Sequence, residues 1–156
     1  MLLSSILKLD KEAKCPDKES DKNIGKVFSG DFEEYIVKKK IGSGGIGTVY
    51  FVKPQSNNYQ KYAMKIVPAE ENIRKEKEVL KIALKSNSVH LCKIVDSGYD
   101  HELHFIVIDL LGSNLFTFSH QCSRKMNYKL AEQCLIEIEA FHSLGYIHRD
   151  IKVSLL

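Results

Sequence analysis

Gly42, Gly44 and Gly47 fall in the spacing GxGxxG within IGSGGIGTV, and the run leads directly into TVYFVK, residues 48–53. The segment after the glycines limits what they can do. A dinucleotide-binding loop must open into a helix, whose N-terminus holds the pyrophosphate. TVYFVK is rich in β-branched and aromatic residues and reads as a strand. Strand, loop, strand is the arrangement of a glycine hairpin lying over phosphates, where the missing Cβ lets backbone N–H groups approach the oxygens. An ordinary flexible hairpin is the other reading of the loop taken alone.

The neighbouring segments extend this pattern. YIVKKKI from Tyr35 and YAMKIV from Tyr62 read as further strands, with PQSNN at 54–58 as a hairpin turn. In ENIRKEKEVLKIALKS, Ile73, Leu80, Ala83 and Leu84 recur at helical spacing with Val79 beside them. LCKIV at 91–95 and HFIVIDLL at 104–111 read as another hairpin about SGYDHE. NYKLAEQCLIEIEAFHSLGY is a longer helix, with Gly145 just past its end. Hairpin links predict an α+β fold, a five-stranded antiparallel sheet with the first helix against it, and disfavour a parallel βαβ sheet.

With 156 residues the chain can bury one core. A net charge of +3, with lysines scattered rather than massed, points to neither a nucleic-acid nor a membrane-surface partner. Cys15, Cys92, Cys122 and Cys134 form no CxxC pair, which favours reduced thiols in an intracellular compartment, cytoplasmic or nuclear by default. MLLSSILKL lacks a basic n-region, and no stretch approaches the roughly 18 apolar residues of a membrane span. KEAKCPDKESDKN at 11–23 is charged and reads as part of a flexible leader, residues 1–26, with order beginning near Val27 or Phe32.

Two further motifs complete the set. Lys65 stands in YAMKIV, one strand after the glycines; a lone lysine in an apolar strand is ordinarily a solvated outward position. YIHRDIK at 146–152 comes after the long helix. In order and spacing, the glycine hairpin, Ala63-x-Lys65, a helical glutamate, the LLG at Leu110–Gly112 and His148-Arg149-Asp150 with Lys152 resemble a Ser/Thr protein kinase. The resemblance runs from about Phe32 to Lys152 and is nearest the casein kinase 1 and tau-tubulin kinase group.

It implies a kinase-like N-terminal lobe and hinge over 27–111, and the first helices of an incomplete C-terminal lobe over 112–156. Gly42, Gly44 and Gly47 would cover the phosphates of ATP, and Lys65 would hold the α- and β-phosphates. Ile41, Val49 and Ala63 would roof the adenine, Ile108 would close the back, and backbone groups at Leu111, with Asp109 nearby, would meet the adenine edge. The lysine's carboxylate would come from Glu70, Glu71, Glu76 or Glu78. Glu76 is three residues after Ile73 and four before Leu80, so it shares their inward face, while Glu78 falls elsewhere. The plainer reading of Glu76 is a surface ion pair of little worth. Asp150 would take the proton of the substrate hydroxyl, Lys152 would neutralise the transferring phosphoryl group, His148 would be structural, and Arg149 would meet a phosphorylated loop.

The departures come after HRDIK. Val153 stands where the group has proline, and Leu155 stands where it has the asparagine that binds magnesium. With the Asp-Phe-Gly segment also absent, the protein ligands of the expected Mg2+ are missing. The reading is then a chain truncated within the catalytic loop, with weak ATP affinity and no useful turnover. A pseudokinase-like module docking a protein partner is the alternative, and an unstable remnant is a third. Leu130, Cys134, Ile138 and Phe141 line one face of the long helix, which implies a partner or self-association.

Overall fold

The computed structural model describes residues 21–45, 47–86, 91–112, 115–147 and 151. Its strands are β1 (Val27–Ser29), β2 (Glu34–Ser43), β3 (Thr48–Pro54), β4 (Tyr62–Val67), β5 (Ile94–Asp100) and β6 (Leu103–Asp109). They form one sheet in the order β1-β2-β3-β4-β6-β5, every pair antiparallel. Helix α1 (Glu71–Ser86) comes after β4, and α2 (Leu115–Ser119) and α3 (Arg124–Ser143) come after β6.

The α+β architecture is the one the pattern predicts, with one more strand. β1 is three residues long, VFS, too short to show a period. β5 also differs from expectation. It begins at Ile94 and continues through SGYD, so the turn shrinks to His101 and Glu102, at φ 50° and 61°. Positive φ at both central residues fits the twist of a two-residue hairpin.

Alternation gives the sheet two apolar faces. Ala63 and Val67 of β4 and Ile106 and Ile108 of β6 pack with Val49, Ile94 and the α1 residues Ile73 and Leu80. Met64, Ile66, Phe105 and Val107 face the other way, joining Phe28, Tyr35, Val37, Tyr50 and Val52. A strap made of residues 21–33 closes that second face. The Asp31 N–H donates to the Ser97 carbonyl of β5 at 2.9 Å, and the Ser29 N–H donates to Asp100 Oδ2 at 2.8 Å. Phe28 inserts edge-on against Phe105 and His101.

The buried Asp96 carboxylate is the clasp. It accepts from the N–H groups of Asp31, Phe32, Glu33 and Ser97 at 2.7–3.3 Å. A Cβ on Gly30 would collide with that carboxylate, so the strap passes this closely only because residue 30 is glycine. Burial first, then the Asp96 charge, pushes the Tyr35 phenol up.

The strap corrects the expected leader at its last six residues. Asn23 is buried and Tyr50 donates its hydroxyl to Asp21, while the Gly25 N–H and Lys26 carbonyl pair with Val37. Residues 1–20, with Cys15, lie outside the described residues.

Ser123 caps α3 by accepting from the Met126 N–H. The helix ends where expected, at Leu144 and a Gly145 with φ +83°. Of the apolar face expected along it, Phe141 is buried and Leu130, Cys134 and Ile138 are half-buried; the neighbouring Leu135 is 68 % exposed. Among the described residues no helix is long and apolar enough to cross a membrane.

Candidate active site

Strand pairing assembles the site. Gly42 lies opposite Val49, and Ser43 opposite Thr48, at the top of the β2–β3 hairpin. Val49 pairs in turn with Lys65, and Lys65 with Ile106. Ala63 pairs with Ile108 one step below. The glycine hairpin, the lysine strand and the end of β6 therefore share the face that carries α1.

Lys65 is 2 % exposed, so the solvated outward position is not what this lysine occupies. Its Nζ lies 2.5 Å from Oε2 of Glu76, itself 4 % exposed. Glu76 sits on the buried stripe of α1 with Ile73, Val79, Leu80 and Ala83, while Glu70, Glu71 and Glu78 are exposed. Of the four candidate carboxylates, Glu76 makes the pair.

Glu76 Oε1 is buried with no hydrogen-bond partner. Burial pushes the Glu76 carboxyl up to about 7, against the pull of Lys65. The folded protein therefore holds more protons than the unfolded chain between the ordinary carboxylate range and pH 7. Stability is lost as pH rises through that window. Urea midpoints at pH 5 and pH 8 should differ by about 1–3 kcal/mol of unfolding free energy, the lower pH being the more stable. A profile that climbs from pH 5 to pH 8 would show that Lys65 holds this carboxylate ionised throughout.

The glycines divide by role. The Gly44 N–H donates to the Gly47 carbonyl at 2.9 Å and closes the turn. A Cβ on Gly47 would fall 2.5 Å from the Ile66 carbonyl oxygen and 2.6 Å from Val67 Cγ1. Gly47 is thus required by β4 passing beneath it. A Cβ on Gly44 meets nothing within 4 Å. Gly47→Ala should destabilise the fold by about 1–3 kcal/mol, read as a lowered melting temperature. Gly44→Ala should leave it within about 0.5 kcal/mol, so any loss of ligand binding in that variant comes from the space above the loop.

Ile41, Val49 and Ala63 come together in one apolar cluster with Ile108, and Leu110 packs against it. Sequence reasoning assigns Leu110 no role. Asp109 and Leu111, the expected adenine-edge residues, are exposed at the end of β6. Asp150 and Lys152, with His148, Arg149, Val153 and Leu155, lie outside the described residues. Cys92, Cys122 and Cys134 are free thiols. Among the described residues no three His, Cys, Asp or Glu side chains gather as a metal site, so these residues do not by themselves fit magnesium.

A model of the protein kinase domain matches residues 35–155. The chain belongs to the protein kinase family. Its sheet and α1 are the kinase N-terminal lobe, and α2 and α3 begin the C-terminal lobe. A probable serine/threonine-protein kinase of Dictyostelium discoideum is 32 % identical over 130 residues, covering 77 % of this chain and 25 % of the relative. A sporulation protein kinase of Schizosaccharomyces pombe is 31 % identical over 134 residues, covering 77 % and 24 %. A Caenorhabditis elegans protein named for casein kinase I is 26 % identical over 140 residues, covering 82 % and 39 %. The chain thus spans about a quarter of the first two kinases and about two fifths of the third.

Proposed function

We propose that this kinase chain binds ATP beneath the β2–β3 hairpin and serves Ser/Thr phosphoryl transfer of the casein kinase 1 type. The observation that carries the reading is the buried Lys65–Glu76 pair under a glycine hairpin. A buried ammonium is costly to keep for packing alone, whereas a cation fixed by a carboxylate is what nucleotide phosphates need. Ile41, Val49 and Ala63 supply the apolar roof, Ile108 the back, and Gly42, Gly44 and Gly47 the close backbone approach. Leu111, with Asp109 nearby, would offer backbone groups to the adenine edge. Asp150 would accept the hydroxyl proton of a protein substrate, and Lys152 would offset charge on the phosphoryl group.

In this division residues 27–111 form the lobe and hinge, and residues from 112 open the second lobe. Calorimetric titration with ATP tests the binding. Saturable binding that is lost in Lys65→Met supports it, and binding indifferent to that substitution refutes it.

A second reading has a specific sequence observation behind it. Val153 and Leu155 replace the proline and asparagine of the casein kinase 1 pattern. On that reading the residues present transfer phosphate weakly or not at all, and the fold serves as a pseudokinase-like docking module. Robust magnesium-dependent phosphorylation of a Ser/Thr peptide library by this chain would refute it.

A further inference from the structure

The root of the glycine hairpin is gripped from the face of the sheet opposite α1. Val49 and Tyr50 are successive residues of β3, so Val49 joins Ala63 and Ile41 on the α1 face while Tyr50 points to the strap. Tyr50 lies opposite Lys40, one rung before the irregularity in β2 that brings Gly42 opposite Val49. Its hydroxyl donates to Asp21, 2.9 Å from Oδ1 and 3.0 Å from Oδ2, and accepts from Asn23 Nδ2 at 3.2 Å. Burial pushes the Tyr50 phenol up, so the hydroxyl stays a donor. Asp21 is itself held by the turn it begins. Its Oδ1 accepts the Asn23 N–H at 3.1 Å, and its carbonyl accepts the Ile24 N–H at 2.9 Å. That turn is seated on β2, where the Gly25 N–H donates to the Val37 carbonyl at 2.8 Å. Asn23 is 6 % exposed, and its Oδ1 has no hydrogen-bond partner among the described residues, a cost that packing alone gives no reason to keep.

We propose that Asp21, Asn23 and Tyr50 are positioning residues that fix the root of the glycine hairpin, and with it the height of the hairpin over a nucleotide held at Lys65. The physical ground is where the knot sits. Tyr50 is the residue of β3 nearest the loop in the strap-side core. Beyond it the hairpin carries the pairs Gly42–Val49 and Ser43–Thr48 and the Gly44–Gly47 turn. A Cβ on Gly44 or Gly45 would meet nothing within 4 Å, so the tip has open space there. Gly47 lies against Ile66 and Val67 of β4, which stops the hairpin from sinking. The knot holds the other end of this short overhang. Lys40 Nζ, 3.8 Å from Asp21 Oδ2 and half exposed, adds little; the buried Tyr50 hydroxyl is the grip. The nucleotide half of the proposal rests on the ATP reading, whereas the restraint on the hairpin does not.

Hydrogen exchange on the ligand-free protein tests the restraint. Tyr50→Phe removes one oxygen and keeps the ring in its core. It should speed exchange at the amides of Gly42, Ser43, Thr48 and Val49 about tenfold and leave β4 and β6 unchanged. Unchanged exchange at those four amides would overturn the proposal. Should β4 and β6 also exchange faster, the variant has loosened the whole sheet, and Asp21→Ala decides by the same readout. A rise again shared by β4 and β6 overturns the proposal, because the knot would then hold the fold rather than the hairpin. Asp21→Asn keeps an oxygen for the Tyr50 hydroxyl, and Lys40→Met keeps the whole knot, so both should behave as the unaltered protein. Either one loosening the hairpin as much as Asp21→Ala would assign the effect to the ion pair, against the proposal. In calorimetric titration, Tyr50→Phe and Asp21→Ala should weaken ATP binding about three- to tenfold, with Asp21→Asn restoring it. A hairpin that loosens while ATP affinity is unchanged overturns the nucleotide half. If the unaltered protein binds no ATP, the proposed function falls, while the exchange measurements still decide the restraint.

Discussion

Asp96→Ala is expected to lower the unfolding free energy by about 3–5 kcal/mol, a large share of what holds a domain of this size together. The carboxylate is 3 % exposed and accepts four backbone N–H groups, three of them from the strap. Each bond to a charged acceptor is worth about 1.5–3 kcal/mol, but the strap can swing its donors toward water, so the total falls short of the sum. Asp96→Asn should recover only part of the loss. An amide keeps one acceptor oxygen and turns the other position into a donor. With Oδ2 replaced, the amide would face the N–H groups of Phe32 and Glu33. Urea unfolding followed by circular dichroism is the measurement, and an alanine variant within about 0.5 kcal/mol of the unaltered protein would show that the strap is held by other contacts.

Lys65→Met is expected to weaken ATP binding at least tenfold and to reduce any phosphoryl transfer by about a hundredfold or more. Methionine fills much the same volume, so the sheet should survive, but Glu76 would lose its cation while its other oxygen already lacks a partner. An unpaired buried carboxylate resolves this by taking up a proton, so the fold should tolerate the change near pH 6. At pH 8 it should lose about 3 kcal/mol. Comparing the two pH values separates the electrostatic cost from the loss of ligand. A variant that binds ATP as tightly as the unaltered protein would remove Lys65 from the site.

The residues legible in the sequence are those whose role is periodic. Glu76 belongs to the inner face of α1 because Ile73 and Leu80 bracket it at helical spacing, and the helix runs over the same sixteen residues as the pattern. β2, β3 and β4 are visible through their β-branched and aromatic residues. β1 is not, because its three residues, paired with the start of β2, show no alternation. The β5–β6 turn is hidden because its two left-handed positions are occupied by His101 and Glu102 rather than by asparagine or glycine. Asp96 escapes notice for a related reason: a buried aspartate is intelligible only once the strap that donates to it is in place. Leu110 rather than Leu111 packs against the apolar cluster, a one-residue distinction that LLG does not specify.

The strap also governs how this lobe can be handled in the laboratory. The recognisable kinase match begins at Tyr35, and a protein trimmed to that boundary would lack β1 and the three strap donors. It would open the edge of β2 that β1 pairs with, free the Ser97 carbonyl of β5, and leave the Asp96 carboxylate with the Ser97 N–H as its remaining backbone donor of the four. An open strand edge beside an apolar surface recruits other chains, so trimming at that boundary should yield aggregates, whereas a start before Asp21 should keep the lobe in solution.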